Sequence, residues 1–196
     1  MPRPPRYDQS VLLDAAVELA AAAGPAAVTM AAVAKQTGTP NGSMYHRFPQ
    51  RAVLLAELWL RTVSHFQEGY LAVLDSDPEP RRAALAVARH VVAWSRAHPR
   101  EAAVLLHGPD AFDRADWPEE YAVRADRGNR RVLAAVSGLA EQLGATAPAD
   151  AERVVLALID IPLALVRRHL RGVGRLPAHA EDLAERCAAD LLATGR

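Results

Sequence analysis

Residues Thr29 to Arg51, TMAAVAKQTGTPNGSMYHRFPQR, are punctuated so tightly that only two short helices and a sharp turn fit them. Thr29 is a good N-cap for a first helix carrying Met30, Val33, Ala34 and Thr37 on one face. Gly38 supplies the left-handed residue that ends it. Thr39 is placed to cap a second helix, with Pro40 at its first helical position, where a missing N–H costs nothing, and Pro49 stops that helix after Phe48. Met44 and Phe48, four apart, pack inward and leave Asn41, Ser43, Tyr45, His46 and Arg47 outward. Such a row suits a nucleic-acid groove: Asn, Ser and His address base edges, while Tyr and Arg address phosphates. An ordinary helical hairpin in a bundle explains the periodicity equally well but not the exposed Tyr-His-Arg row. The layout is that of a DNA-reading helix-turn-helix.

At these positions the sequence resembles the TetR family of transcriptional regulators. The family's first half-motif, a threonine, an Ile-Ala or Val-Ala pair and a glycine, matches Thr29, Val33, Ala34 and Gly38. Its second, Gly-x-Leu/Met-Tyr-x-x-Phe followed by a basic residue and a leucine, matches Gly42, Met44, Tyr45, Phe48, Arg51 and Leu54. Pro40 stands where Ser or Thr is usual, and Arg47 where His or Tyr is usual. The resemblance covers the first quarter of the chain. It implies an all-α fold, with an N-terminal three-helix DNA-binding domain followed by a C-terminal helical ligand-binding and dimerisation domain. The residue chemistry then divides the DNA face. Asn41, Ser43 and His46 are expected at base edges, and Thr29, Thr39, Tyr45, Arg47 and Arg51 at phosphates. Gly42 would permit close approach, and Arg3 and Arg6 would reach from a flexible arm over residues 1–9.

With 196 residues, 51% of them hydrophobic, the chain can bury a substantial core. Formal net charge is zero, but residues 1–51 hold five cationic side chains against three acidic ones, so a net +2 there faces −2 over the rest. That asymmetry permits phosphate binding without demanding it. The single cysteine, Cys187, forms no intrachain disulfide. The opening PRPPRYDQS lacks an apolar signal core, so a cytoplasmic location is expected. The longest apolar run, 154–166, is interrupted by Asp160 and Pro162 and is too short to span a bilayer, which argues against a membrane partner.

The pattern is helical nearly throughout. Ser10 reads as the cap of a helix with an apolar stripe of Leu12, Leu13, Ala16, Val17, Leu19 and Ala20, ended at Gly24-Pro25. A longer helix runs from Arg51 to Leu74, and Ser76-Asp77-Pro78-Glu79-Pro80 breaks the chain after it. Further helices are expected over 81–97, 99–107, 118–143, 149–171 and 178–193. We therefore divide the chain into a DNA-binding domain, 1–51, and an effector-binding and dimerisation domain, 52–196.

Leu156, Ile159, Leu163, Val166 and Leu170 alternate spacings of three and four, and Leu183, Cys187 and Leu191 repeat at four. These seams face either the chain's own core or a second copy. The need to read two half-sites of a palindromic operator favours a homodimer. Aromatic and histidine residues concentrate between 65 and 121. Of these, His90, Trp94, His107, Trp117 and Tyr121, together with Asp160, are the expected contacts of a small-molecule effector. Asp160 is equally placed to cap a helix broken at Pro162 or to pair with an arginine, and Pro162 leaves the Leu158 carbonyl without its helical partner. No phosphate loop, nucleophile elbow or zinc-binding His pair is present, so no catalytic residue, metal or cofactor is expected. A helical carrier or adaptor would retain the pocket and seam yet leave Tyr45, His46 and Arg47 without a role. An enzyme is a weaker alternative still.

Overall fold

The computed structural model describes residues 8–193 and is helical, with no strand among them. Arg3 and Arg6 fall outside the described residues. The chain forms two compact units, each assembled from separated segments: residues up to 64 with 100–126, and 65–99 with 127 onward. These contact-defined units interleave along the sequence, whereas the expected functional division was a single cut.

The first unit begins with α1 (Gln9–Ala23), whose buried face is Leu12, Leu13, Ala15, Ala16, Val17 and Ala20. Asp8, not Ser10, holds its N-cap position, and the Ser10 hydroxyl donates to the Asp8 carboxylate at 3.2 Å. Gly24 ends the helix at φ 80°, and a single 3-10 turn, Pro25–Ala27, leads into α2 (Met30–Thr37). Then follow α3 (Asn41–Arg47) and the start of α4 (Arg51–Leu74). Most of α6 (Pro99–Leu105), the 3-10 turns Pro109–Phe112 and Arg114–Asp116, and the first residues of α7 (Glu119–Gln142) complete the unit. Its core joins α1 and α2 to Met44, Phe48, Leu54, Leu58 and Trp59, and also takes in Phe112 and Trp117. The ring of Phe112 lies 5.4 Å from that of Trp59, and the Trp117 indole N–H donates to the Phe112 carbonyl at 2.7 Å.

The second unit is organised around α5 (Pro80–Ala97), which buries Ala83, Ala84, Val87, Ala88, Val91, Val92, Trp94 and Ser95. Glu79 caps it, accepting from the backbone N–H groups of Arg81 and Arg82 at 2.9 and 2.7 Å. Against α5 lies α10 (Ala180–Ala193), through the small residues Ala180, Ala184 and Ala188. Three arginines of α5 fasten this pair. Arg81 donates to the carbonyls of Ala189 and Leu192 near the end of α10. Arg89 meets Glu181, Asp182 and Glu185. Arg96 pairs with Glu181 at 2.8 Å and donates to the carbonyls of Leu176 and Pro177. The Arg81 cation at the C-terminal carbonyls of α10 also complements its dipole.

The stretch expected to be one helix over 149–171 is α8 (Pro148–Val155), a π turn over Leu156–Asp160 and α9 (Ile161–Gly172). The cause is Pro162, which has no N–H to return to Leu158. The Leu158 carbonyl instead accepts a long bond, 3.5 Å, from the buried Tyr70 hydroxyl. Burial holds that phenol's pKa well above its ordinary value. The wider turn keeps Val154, Leu158, Pro162 and Val166 in one buried row at spacings of four. Val166, 1% exposed, therefore faces the unit's own core rather than the seam expected from a continuous α-helical period.

Candidate functional site

The turn between α2 and α3 is set by local bonds. Thr29 accepts from the Ala32 N–H at 3.1 Å, and Gly38 takes φ 68°, ψ 21°, the left-handed conformation that a β-carbon would strain. The second cap differs from expectation. Thr39 is buried and accepts from the Thr37 hydroxyl at 2.8 Å, so it ties the turn together instead of capping α3. Pro40 occupies the N-cap position, extended at ψ 139°, and α3 starts one residue later, at Asn41. A buried Thr39 hydroxyl is poorly placed for a phosphate.

On α3 the inward pair is as expected: Met44 and Phe48 have no exposure. Asn41, Gly42, Tyr45 and His46 are exposed, while Ser43 and Arg47 are half-buried. Tyr45 is 57% exposed. A large aromatic ring held in water on a seven-residue helix contributes nothing to this unit's core. A β-carbon on Gly42 would meet nothing within 4 Å, so the glycine leaves a flat spot on that face.

Arg51 turns the other way. Its Nε donates to the Val28 carbonyl at 2.8 Å, Nη2 to the Pro25 carbonyl at 3.1 Å, and Nη1 pairs with Asp113. Each guanidinium nitrogen is engaged within the unit, so Arg51 clamps the start of α4 to the segment entering α2. Asp113 adopts φ 55°, the one positive φ among the described non-glycine residues. The sequence flagged the basic residue but not this arrangement, since its acceptors lie up to 62 positions away.

The residues expected to contact an effector are divided between the units. In the first, Trp117 is a core residue with its N–H satisfied, and His107 is exposed, its ring 6.4 Å from Phe112. Tyr121 is half-buried. Burial and the neighbouring Glu57 carboxylate raise its pKa. In the second unit, His90 and Trp94 face Gly69 of α4. Phe66 and His98 bring their rings to 5.1 and 4.9 Å from that of Trp94. Burial lowers the pKa of His90 below its ordinary value. Asp160 is exposed, forms no side-chain cap bond and meets no described arginine, so neither structural role expected for it is taken up. Sequence reasoning missed Gly69. A glycine inside a long helix was the available signal of close approach by a neighbouring side chain.

Along α8 to α10, Leu156 is exposed. Ile159, Leu163, Leu170, Leu183, Cys187 and Leu191 are half-buried in the single chain.

Three short helices packed through Met44 and Phe48, with α3 offering Asn41, Tyr45 and His46 to solvent, define a helix-turn-helix DNA-binding domain. Residues 12–58 match the profile of the bacterial regulatory proteins of the tetR family. Solved structures extend the likeness in fold across the chain. A TetR-like transcriptional regulator from Rhodococcus sp. RHA1 is 20% identical, with 99% of each chain covered and a TM-score of 0.74. The transcriptional regulator FadR from Bacillus subtilis, in complex with stearoyl-CoA, is 16% identical over 96% of this chain and 100% of its own, with a TM-score of 0.72. The fatty acid degradation regulator FadR from Bacillus halodurans is 14% identical over the same shares, with a TM-score of 0.73. No curated protein matches by sequence. Residues 12–58 thus match the family's DNA-binding segment, and the chain as a whole has the TetR-like fold. No described helix is long and apolar enough to cross a membrane.

Proposed function

We propose that this chain is a ligand-responsive repressor that binds a palindromic operator as a homodimer and leaves it when a small-molecule effector binds. In this reading residues 1–51 read DNA and 52–196 bind effector and partner, in the cytoplasm, where the DNA is. The observation that carries it is the exposed Tyr45 beside Asn41 and His46 on a helix whose other face is fully buried. Asn41, Ser43 and His46 address base edges. Thr29, Tyr45 and Arg47 hold phosphates, and Gly42 allows close approach. Arg51, engaged within its own unit, orients the reading helix from behind. The stearoyl-CoA complex of a regulator with a similar fold supports a small-molecule effector. Leu156, Ile159, Leu163, Leu170, Leu183, Cys187 and Leu191 supply the apolar surface for a second copy.

The test is a gel-shift on an operator selected from random DNA. Asn41→Ala and His46→Ala should each cost about 1 to 3 kcal/mol on the selected sequence and less on random DNA, because base contacts carry discrimination. Tyr45→Phe should weaken both alike. Unchanged affinity in all three variants would refute the reading. Sedimentation tests the partner: a charge at Leu163→Glu or Leu191→Glu would have to be desolvated at the interface, so the dimer should dissociate.

A further inference from the structure

Two polar atoms of the second unit are buried with nothing to bond, Nε1 of Trp94 and Nε2 of His90. They belong to side chains one turn apart on α5, so both lie on the same face. Opposite them is Gly69. A β-carbon there would stand 3.1 Å from His90 Nε2 and 3.9 Å from Trp94 Cδ1. Trp94 is only 6% exposed, and its Nε1 is shielded from the surface. Buried polar atoms without partners are rare because folding strips them of water and returns nothing. Two on one helix face, beside the one residue type that brings no side chain, mark a place where something else completes the bonding.

The chemistry of the two groups limits what that is. An indole N–H only donates, so it requires an acceptor. His90 is half-buried with its Nε2 shielded, which favours the neutral imidazole, whose Nε2 either donates or accepts. A carboxylate or phosphate placed here would give up far more hydration than a carbonyl oxygen, and neither an indole nor an imidazole whose pKa burial lowers holds a standing charge to offset it. Around Trp94, the ring of Phe66 supplies apolar contact at 5.1 Å, and the imidazoles of His98 and His65 lie at 4.9 and 5.5 Å.

We infer that Trp94, His90 and Gly69 form a polar subsite for an uncharged carbonyl group (ketone, ester or amide) on an otherwise apolar effector, with the Trp94 N–H donating to the carbonyl oxygen. The inference rests on the effector reading above and names the ligand class of that site. Gly69 acts as the specificity-determining position, because a β-carbon there would press on the His90 ring, 3.1 Å from Nε2.

Three probes of one size test it on the full ¹⁵N-labelled chain: acetophenone, ethylbenzene and benzoate. The chain has three tryptophans and therefore three indole N–H signals, and Trp94→Phe identifies the one that matters. Acetophenone should move the Trp94 signal downfield, saturably, and leave that of Trp117, already bonded to Phe112, in place. Ethylbenzene and benzoate should not produce that shift. Gly69→Ala should suppress it while the other two indole signals, which report the first unit, stay where they were. A Trp94 signal indifferent to acetophenone, or moved equally by benzoate, overturns the subsite, as does a long-lived buried water at that N–H that acetophenone fails to displace. If benzoate or stearoyl-CoA instead shifts other signals of the second unit and loosens the selected operator, the subsite is wrong and the effector reading survives. If neither these nor any compound of a broad effector screen binds or loosens the operator, both fall.

Discussion

Trp117 and Trp94 are the same side chain, each 6% exposed, in different compact units, and they are treated in opposite ways. The N–H of Trp117 reaches a carbonyl five residues away at 2.7 Å, and its ring closes a core with Phe112 and Trp59. The N–H of Trp94 reaches nothing. The first unit also anchors Arg51 by all three guanidinium nitrogens and ties its turn through Thr37 and Thr39. A unit that presents a helix to DNA gains from fixing every polar group, since small misplacement of α3 would spoil its contacts. If the second unit responds to an effector as proposed, it gains from leaving bonds for the effector to make, since only differential binding shifts its equilibrium.

The largest expected effect tests how rigidly the first unit is packed. Phe112→Ala empties a fully buried site and should cost about 3 to 5 kcal/mol by urea unfolding, whereas Phe66→Ala, at a half-buried ring beside Trp94, should cost clearly less. Equal losses would erase the contrast. A finer comparison uses the tryptophans themselves. Trp117→Phe strands the Phe112 carbonyl and should cost about 1 to 3 kcal/mol, while Trp94→Phe removes a donor that had no partner and should cost less than about 1 kcal/mol. The smallest effect is a pH dependence. The pKa of His90 is lowered in the folded chain from 6.5, so on acidification the unfolded chain takes up this proton first. Its contribution to stability is complete above that value and declines as pH falls below it toward the folded value. His90→Gln should flatten that part of the stability profile. A variant as pH-sensitive as the parent there would place the titration on another histidine.

Much of the reading pair was legible in sequence because its determinants are local. A threonine cap, a left-handed glycine and an inward pair four residues apart act over a single turn of chain. The span of α4 from Arg51 to Leu74 was likewise readable from an apolar period bounded by a proline and a polar break. Even the interruption near Pro162 was visible, since the missing N–H is a property of that residue alone. The start of α3 slipped by one residue because the Thr39 hydroxyl is taken by that of Thr37, a local bond that cap preference alone does not anticipate.

What the sequence by itself determined is therefore the all-helical class, the turn between α2 and α3, and the buried and exposed sides of α3, all governed by interactions within a few residues. Tertiary structure alone decided which way Arg51 turns, where the π turn sends Val166 and Asp160, and that Trp94 and His90 meet a glycine across α4. Those outcomes depend on groups tens of positions apart competing for the same donors, acceptors and space. No local period or propensity records who wins.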